Sequence, residues 1–376
     1  MNKNNTLISI IIPFCNPRFE YFKDAIESIL SQSYTNWETI IVNDGSNQKS
    51  KAFLDEYINS LNDKRFFIFN LDKNSGISVA KNKGVEFAKG EIITFLDSDD
   101  IHLPWHYEEI IKTFSLNPDC SIIAIPQFYY ISILKKQFIL LQPNFTSVLG
   151  AKNSLSFILE KSLESKLALM CTPILALKKQ IFNYVKYDST LYAEEDFDLC
   201  LQILNNKELS NNIAIMPIPG YLYRIYFSNS RLTQRMDLLS GSKCKIMNKY
   251  NDKNFVSCEL LKYMQIFDDW KFCKELAGYS KNGSVLIYLK TISNNFNSLE
   301  DKIKSVRALI NSIMKYKVLT KLFRIDFIHI KRVLFNKMTR DHTREIKVKF
   351  KDYLSSSKDE KTGFYANRIY QRIFVN

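Results

Sequence analysis

The chain has 376 residues, 46% hydrophobic and 13% aromatic, which is ample for a packed core and excludes a disordered protein. That length allows one large domain with a smaller one, or two domains. The net charge of +13 is uneven: Lys302 to Lys351 holds fifteen basic residues against Asp326, Asp341 and Glu345, a net of +12, so residues 1–301 are close to neutral. The seven cysteines (15, 120, 171, 200, 244, 258 and 273) are odd in number and scattered, with no C-x-x-C pair. This argues against a disulfide framework or a zinc knuckle and for a reducing, cytoplasmic compartment. Polar Met1 to Thr6 followed by a short apolar run does not read as a signal peptide. No uninterrupted apolar run reaches the roughly 18 residues of a membrane span. Phe128 to Leu141, broken by Lys135-Lys136, reads as two strands and a turn.

In chain order, residues 7–12 (Leu-Ile-Ser-Ile-Ile-Ile) predict a strand stopped by Pro13. Tyr21 to Gln32 carries apolar residues at 22, 25, 26, 29 and 30, the spacing of a helix. Glu38 to Val42 predicts a second strand ending in Asn43-Asp44-Gly45-Ser46, and Lys51 to Leu61 a second helix. Phe66 to Asn70 is a third strand, and Asn74-Ser75-Gly76 a turn opening a helix from Ile77 to Ala88. Gly90 ends that helix before a strand over 92–96. Strands alternating with helices through short connections imply a doubly wound, mostly parallel α/β sheet.

The fourth strand runs directly into Asp97-Ser98-Asp99-Asp100. In open α/β sheets ligands bind beyond the carboxyl ends of the strands. Carboxylates crowded there repel one another unless a cation sits among them, and a hard divalent ion that shares substrate phosphates is the simplest candidate. The competing description is a solvated acidic turn that caps a helix. Asp44, after the second strand, places another carboxylate at the same sheet edge. No G-x-G-x-x-G follows the first strand, where Pro-Phe-Cys-Asn stands instead, so a dinucleotide site is excluded. His102 and His106 stand four apart beside the acids, but no third ligand of the right kind is placed for zinc.

Ser9-Ile-Ile-Ile-Pro13, Ala25 to Gln32, Ile41-Val-Asn-Asp-Gly-Ser46, Asn74-Ser-Gly76, Ala80-Lys-Asn-Lys-Gly84, Ala88-Lys-Gly-Glu91 and Leu96-Asp-Ser-Asp-Asp100 stand in one order and spacing. Together they resemble the inverting family 2 glycosyltransferases of bacterial surface-polysaccharide synthesis, over about the first 105 residues. The resemblance implies a GT-A fold, a Rossmann-like nucleotide-binding domain, and a nucleotide-sugar donor, usually UDP-linked. It places Asp44 at the nucleotide base, Asp97 at the ribose and metal, and Asp99 at a Mn²⁺ or Mg²⁺ ion bridging the diphosphate. Pro13, Asn16, Asn74, Gly76, Lys81 and Ser98 fall on its donor-binding motifs. Asp100 is placed to cap the following helix. Where the family often has Arg, Lys81 keeps the charge without the planar fork. Cys15 stands where Tyr is frequent, and Asn43 where Asp is.

Inverting transfer also requires a general base. Glu194-Glu195-Asp196-Phe-Asp198-Leu199 resembles the family's E-D-x-x-L element, with Asp196 at the base's position and Glu195 as the alternative. The same acids also suit a helix N-terminus. Tyr221 to Tyr226 and Ser228 to Arg231 resemble the strand and loop over the diphosphate, so Arg224 and Arg231 are candidates for phosphate contact.

From about Leu260 the pattern is helical, with Val306, Leu309, Ile310 and Ile313 on one face and Phe323, Phe327, Ile330, Leu334 and Met338 on another. Basic residues fill the remaining faces, a pattern suited to an anionic membrane surface through 302–351 or to packing on the catalytic domain. Nucleic acid is not expected as a partner. The expected organisation is a catalytic domain over 1–235, with a donor half at 1–105 and an acceptor half at 106–235, then a helical basic region over 236–376. The acceptor implied is a glycan or lipid-linked glycan, with the protein peripheral on the inner face of the cytoplasmic membrane. A non-catalytic nucleotide-sugar-binding module is the rival reading.

Overall fold

The computed structural model describes residues 5–133, 136–141, 152–153, 175–210, 213–226, 343–357 and 359–375, with isolated positions between 242 and 250. The helical faces expected over 306–338, and Arg231, lie outside the described residues. The amino-terminal elements are β1 (Ile8–Phe14), α1 (Phe19–Leu30), β2 (Trp37–Asp44), α2 (Gln48–Ser60), β3 (Phe66–Leu71), α3 (Ile77–Phe87) and β4 (Ile92–Phe95). They are followed by β5 (Ile101–His102), α4 (His106–Leu116), β6 (Ile122–Ala124), β7 (Gln127–Ile133), β8 (Lys136–Leu141), β9 (Lys152–Asn153) and β10 (Leu175–Lys178). Last come α5 (Glu195–Asn205), α6 (Lys207–Ser210), β11 (Ile213–Ile215), β12 (Tyr221–Ile225), α7 (Thr343–Ser356) and α8 (Glu360–Phe374).

Among the described residues the main sheet has the order β3-β2-β1-β4-β10-β6-β11-β9. The β3-β2-β1-β4 half is parallel throughout, and its apolar runs are covered on both faces: Ile8, Ile10, Ile11, Ile12, Ile40, Ile41 and Val42 are fully buried. The chain winds outward from β1 to β3 and then returns beside β1 as β4. That reversal opens a crevice between the carboxyl ends of β1 and β4. β10 then lies antiparallel between β4 and β6.

β1 continues through Pro13 to Phe14, past the expected stop. Ile11 offers its carbonyl to Leu96 on the β4 side, so Pro13, two residues on, turns its missing N–H toward the same side. β4 has already ended at Phe95 there, and no ladder bond is lost. α3 approaches β1 closely enough that a Cβ on Gly84 would lie 2.3 Å from Ile11 Cγ2, which is why the motif ends in glycine.

A second sheet, β5-β12-β7-β8, includes the antiparallel pair expected from Phe128 to Leu141. Its core residues Ile101, Trp105, Phe128 and Leu222 pack with Ile346 and Phe350 of α7 and Ala366, Ile369 and Ile373 of α8. The carboxyl-terminal helices α7 and α8 therefore belong to the same compact unit as the strands of both sheets. Lys349 of α7 lies 4.3 Å from the centre of the Trp105 ring, and burial pulls its ammonium below the usual lysine range. No helix among the described residues is long and apolar enough to cross a membrane.

Candidate active site

Each parallel strand delivers its loop to the same edge, and side chains tie those loops together. After β1, Asn16 takes a left-handed backbone (φ 48°), its N–H donates to Ser46 Oγ, and its Oδ1 accepts from the Asn47 N–H. After β2, buried Asp44 accepts from the N–H groups of Ser75 (2.6 Å) and Gly76 (2.9 Å), clamping the loop that follows β3. Asn74 in turn donates its amide to Cys15 Sγ at 3.1 Å. A Cβ on Gly45 would fall 2.1 Å from the Asn74 nitrogen, and its φ of +59° is left-handed, so both space and conformation require glycine. Pro13, Asn16, Asp44, Asn74 and Gly76 are thus brought to one edge. Asp44's carboxylate serves the turn, and its remaining lone pairs suit a further N–H donor.

After β4, the Asp100 N–H closes a turn on the Asp97 carbonyl, leaving Asp97, Ser98 and Asp99 half-buried. Asp99 Oδ2 accepts from the Tyr226 hydroxyl at 2.7 Å, and its carbonyl accepts from Arg224 Nε at 2.9 Å. Asp100 does not cap the next helix as expected: α4 starts at His106 after Trp105. Fully buried, Asp100 accepts from the Tyr221 hydroxyl (2.7 Å) and the Arg224 N–H (2.8 Å), because β12 supplies donors that water cannot. Arg224 also reaches Asp24 of α1 through Nη2 at 2.7 Å, so this guanidinium bridges the Asp99 carbonyl and a carboxylate inside the fold.

The acids at 194–198 open α5, favourable to its dipole. Glu195 pairs with Lys81 of α3 at 2.6 Å, both side chains nearly fully buried. Burial alone would push the Lys81 ammonium down. Glu195, Tyr187, Asp97 and Asp196 outweigh it and hold the pKa above the usual lysine range. One cation thus stands among the acid turn after β4 and the acids of α5. Glu195, the alternative base, is committed to that cation. The Asp196 carboxyl is pushed up to about 8, first by burial and then by Glu195, with Lys81 opposing. Asp196 Oδ1 also accepts from the Phe197 N–H at 2.8 Å.

His102 and His106 stack at 3.9 Å, both fully buried, with the Tyr107 hydroxyl 3.0 Å from His102 Nδ1. Among the described residues no three His, Cys, Asp or Glu side chains converge as a metal cage. Burial drives both imidazoles down, His106 to about 3. A folded pKa below the unfolded value near 6.5 means that the pair's contribution is complete above that pH and is lost as pH falls through it. Denaturant unfolding at pH 7 and pH 5 is expected to show the loss, and His106→Phe, which stacks without titrating, to reduce its slope.

Asp24, Glu27 and Tyr226 of this network are functional residues that the reading of the sequence missed. Asp24 and Glu27 sit beside the apolar positions of α1 and are nearly fully buried. Charged residues on the covered side of a helix were the available signal.

Residues 9–183 match the sequence model of glycosyl transferase family 2. Those residues, fewer than half of the chain, are similar to a family 2 glycosyltransferase domain. The chain is 38% identical over 117 residues to TuaG of Bacillus subtilis, named for teichuronic acid biosynthesis, covering 31% of this chain and 44% of that protein. It is 43% identical over 102 residues to WcaA of Escherichia coli, named for colanic acid biosynthesis, covering 27% and 36%. The chain thus spans less than half the length of both. An uncharacterized glycosyltransferase of Rickettsia typhi is 29% identical over 329 residues, covering 86% of this chain and 96% of that one. S. aureus TarS 1-349, in a crystal structure with UDP-GlcNAc, superposes with a TM-score of 0.57 at 15% identity, covering 84% of this chain and 91% of that 1-349 chain. That likeness shows the fold, GT-A, which the family resemblance had implied.

A divalent cation is implied by this family, and the glycosyltransferase domain has donors that fit one. Asp97 and Asp99 put two hard carboxylate oxygen groups on a single turn. Mg²⁺ and Mn²⁺ sites commonly use one or two carboxylates and complete their shell with water and phosphate oxygens.

Proposed function

We propose that the protein is a metal-dependent, inverting glycosyltransferase. It moves a hexosyl or N-acetylhexosaminyl group from a UDP-linked donor to a hydroxyl of a surface glycan such as lipopolysaccharide or capsule. The observation that carries this reading is Lys81, a buried cation set among Asp97, Glu195 and Asp196 beside the carboxyl edge of parallel strands. Similarity to proteins named for teichuronic and colanic acid synthesis, and to a fold crystallised with UDP and UDP-GlcNAc, supports the donor and acceptor classes.

In this reading residues 1–105 bind the donor and 106–235 shape the acceptor side. Asp44 receives the base N–H, while Asn16, Asn74 and Gly76 line the nucleotide. Asp97 and Asp99 hold Mn²⁺ or Mg²⁺, which when bound neutralises charge on the diphosphate. Asp196 takes the proton of the acceptor hydroxyl as that oxygen bonds to the anomeric carbon. The bond from that carbon to the diphosphate oxygen breaks on the opposite face, its electron pair leaving with UDP. A carboxylate held near the working pH suits this task. The basic residues of 302–351 bring the enzyme to the inner face of the cytoplasmic membrane. Flotation with anionic but not neutral liposomes tests that part, and flotation with neither contradicts it.

Calorimetric titration with UDP tests the donor site. Binding is expected with Mn²⁺, with a loss of about tenfold or more in chelator or in Asp99→Ala. Equal binding in all three would favour a metal-independent binding module.

A further inference from the structure

One face of α1 connects the carboxyl-terminal helix to the acid turn. Tyr21, Asp24 and Glu27 follow one another at three-residue intervals and so share that face. Glu27 pairs with Arg368 (2.9 Å) and Arg372 (3.1 Å) of α8. Asp24 pairs with Arg372 on one oxygen and with Arg224 on the other. Arg224 lies 4.3 Å from the centre of the Tyr21 ring, and its Nε holds the Asp99 carbonyl. Tyr226, whose hydroxyl holds the Asp99 carboxylate, packs edge-on to the same Tyr21 at 4.8 Å. Two contacts that hold Asp99 therefore rest on α1.

We propose that Arg372 of α8 is a positioning residue for donor binding: through Asp24 and Arg224 it fixes the turn that carries Asp97 and Asp99. This rests on the reading of that turn as the metal-diphosphate site. Asp24 is nearly fully buried, and a buried carboxylate shared by two guanidinium groups orients both. Without Arg372, Arg224 keeps a partner whose own position is no longer set from the far side, and Asp99 inherits that freedom. Arg368 supplies the control. It lies on the same helix and pairs with the same element, but its ion pair is with Glu27 and not with Asp24.

The test compares full-length wild type, Arg372→Ala, Arg372→Lys and Arg368→Ala by thermal unfolding and by calorimetric titration with UDP and Mn²⁺. Both alanine variants are expected to unfold at lower temperature. Arg372→Ala alone is expected to weaken Mn²⁺–UDP binding, by about threefold to thirtyfold, the range over which remote residues modulate a site. Arg372→Lys is expected to recover most of that loss. In turnover the defect appears as a raised KM with kcat little changed. Should Arg372→Ala fail to fold, Arg372→Gln is read the same way. Equal binding by the Arg372 and Arg368 variants would overturn the proposal while leaving the function intact. No Mn²⁺–UDP binding by wild type would overturn both.

Discussion

Asp196→Asn is expected to lower the transfer rate by about 10²- to 10⁴-fold, the range of a positioned general base. Asparagine keeps the shape and can still accept from the Phe197 N–H, so the start of α5 is preserved. UDP affinity should therefore stay within about twofold of wild type, which separates a lost base from a lost fold. The wild-type pH profile follows from the same residue. A base whose carboxyl sits at about 8 is protonated at neutral pH and is released as pH rises, so kcat/KM climbs through that value. Steady-state rates from pH 6 to 9 check this, and the Asp196→Asn profile should lose the acidic limb. Wild-type-like turnover in that variant would remove Asp196 from the mechanism.

The second large effect is on stability. Lys81→Met leaves the Glu195 carboxylate buried without the ammonium that meets it at 2.6 Å, and breaking such a pair costs about 3–5 kcal/mol. Urea unfolding should show that loss. The double variant Lys81→Met/Glu195→Gln, which buries no net charge, should regain much of it. A double variant as unstable as the single one would contradict the pairing. The two single changes also move Asp196 in opposite directions. Removing Lys81 takes away the cation that holds the carboxyl down, and the acidic limb shifts to higher pH. Glu195→Gln removes a neighbouring negative charge and shifts that limb lower.

The first 96 residues were legible because each strand is a mostly apolar run that ends in a turn signal, and β1, β2 and β4 are buried on both faces. A strand buried on both faces admits no other pattern. The acid turn stood out because three acids within four positions require an explanation, and the E-D element because it resembles the family's E-D-x-x-L. What the sequence withheld was the direction of individual side chains. Arg224 read equally well as a phosphate ligand, yet its strand neighbours Tyr221 and Tyr226 lean on Asp100 and Asp99, and its own guanidinium meets Asp24. Nothing local to residue 224 announces an acid two hundred positions earlier. Strand β5 is two residues long and is held by its pairing with β12, so no periodicity could mark it. Asp24 and Glu27 were lost in a helix read for its apolar stripe, although acids beside that stripe imply cationic partners. Those partners, Arg368 and Arg372, come from the last helix of the chain.

The central claim is that this acid-lined sheet edge releases a sugar from a nucleotide. Purified protein incubated with Mn²⁺ and a panel of UDP-, GDP- and CDP-linked sugars, followed for free nucleoside diphosphate, tests it most directly. Turnover of one donor, lost in chelator and in Asp99→Ala, is the predicted result, and it would name the sugar. Equal release from every donor regardless of metal, or none from any even with a bacterial glycan extract as acceptor, would contradict the account.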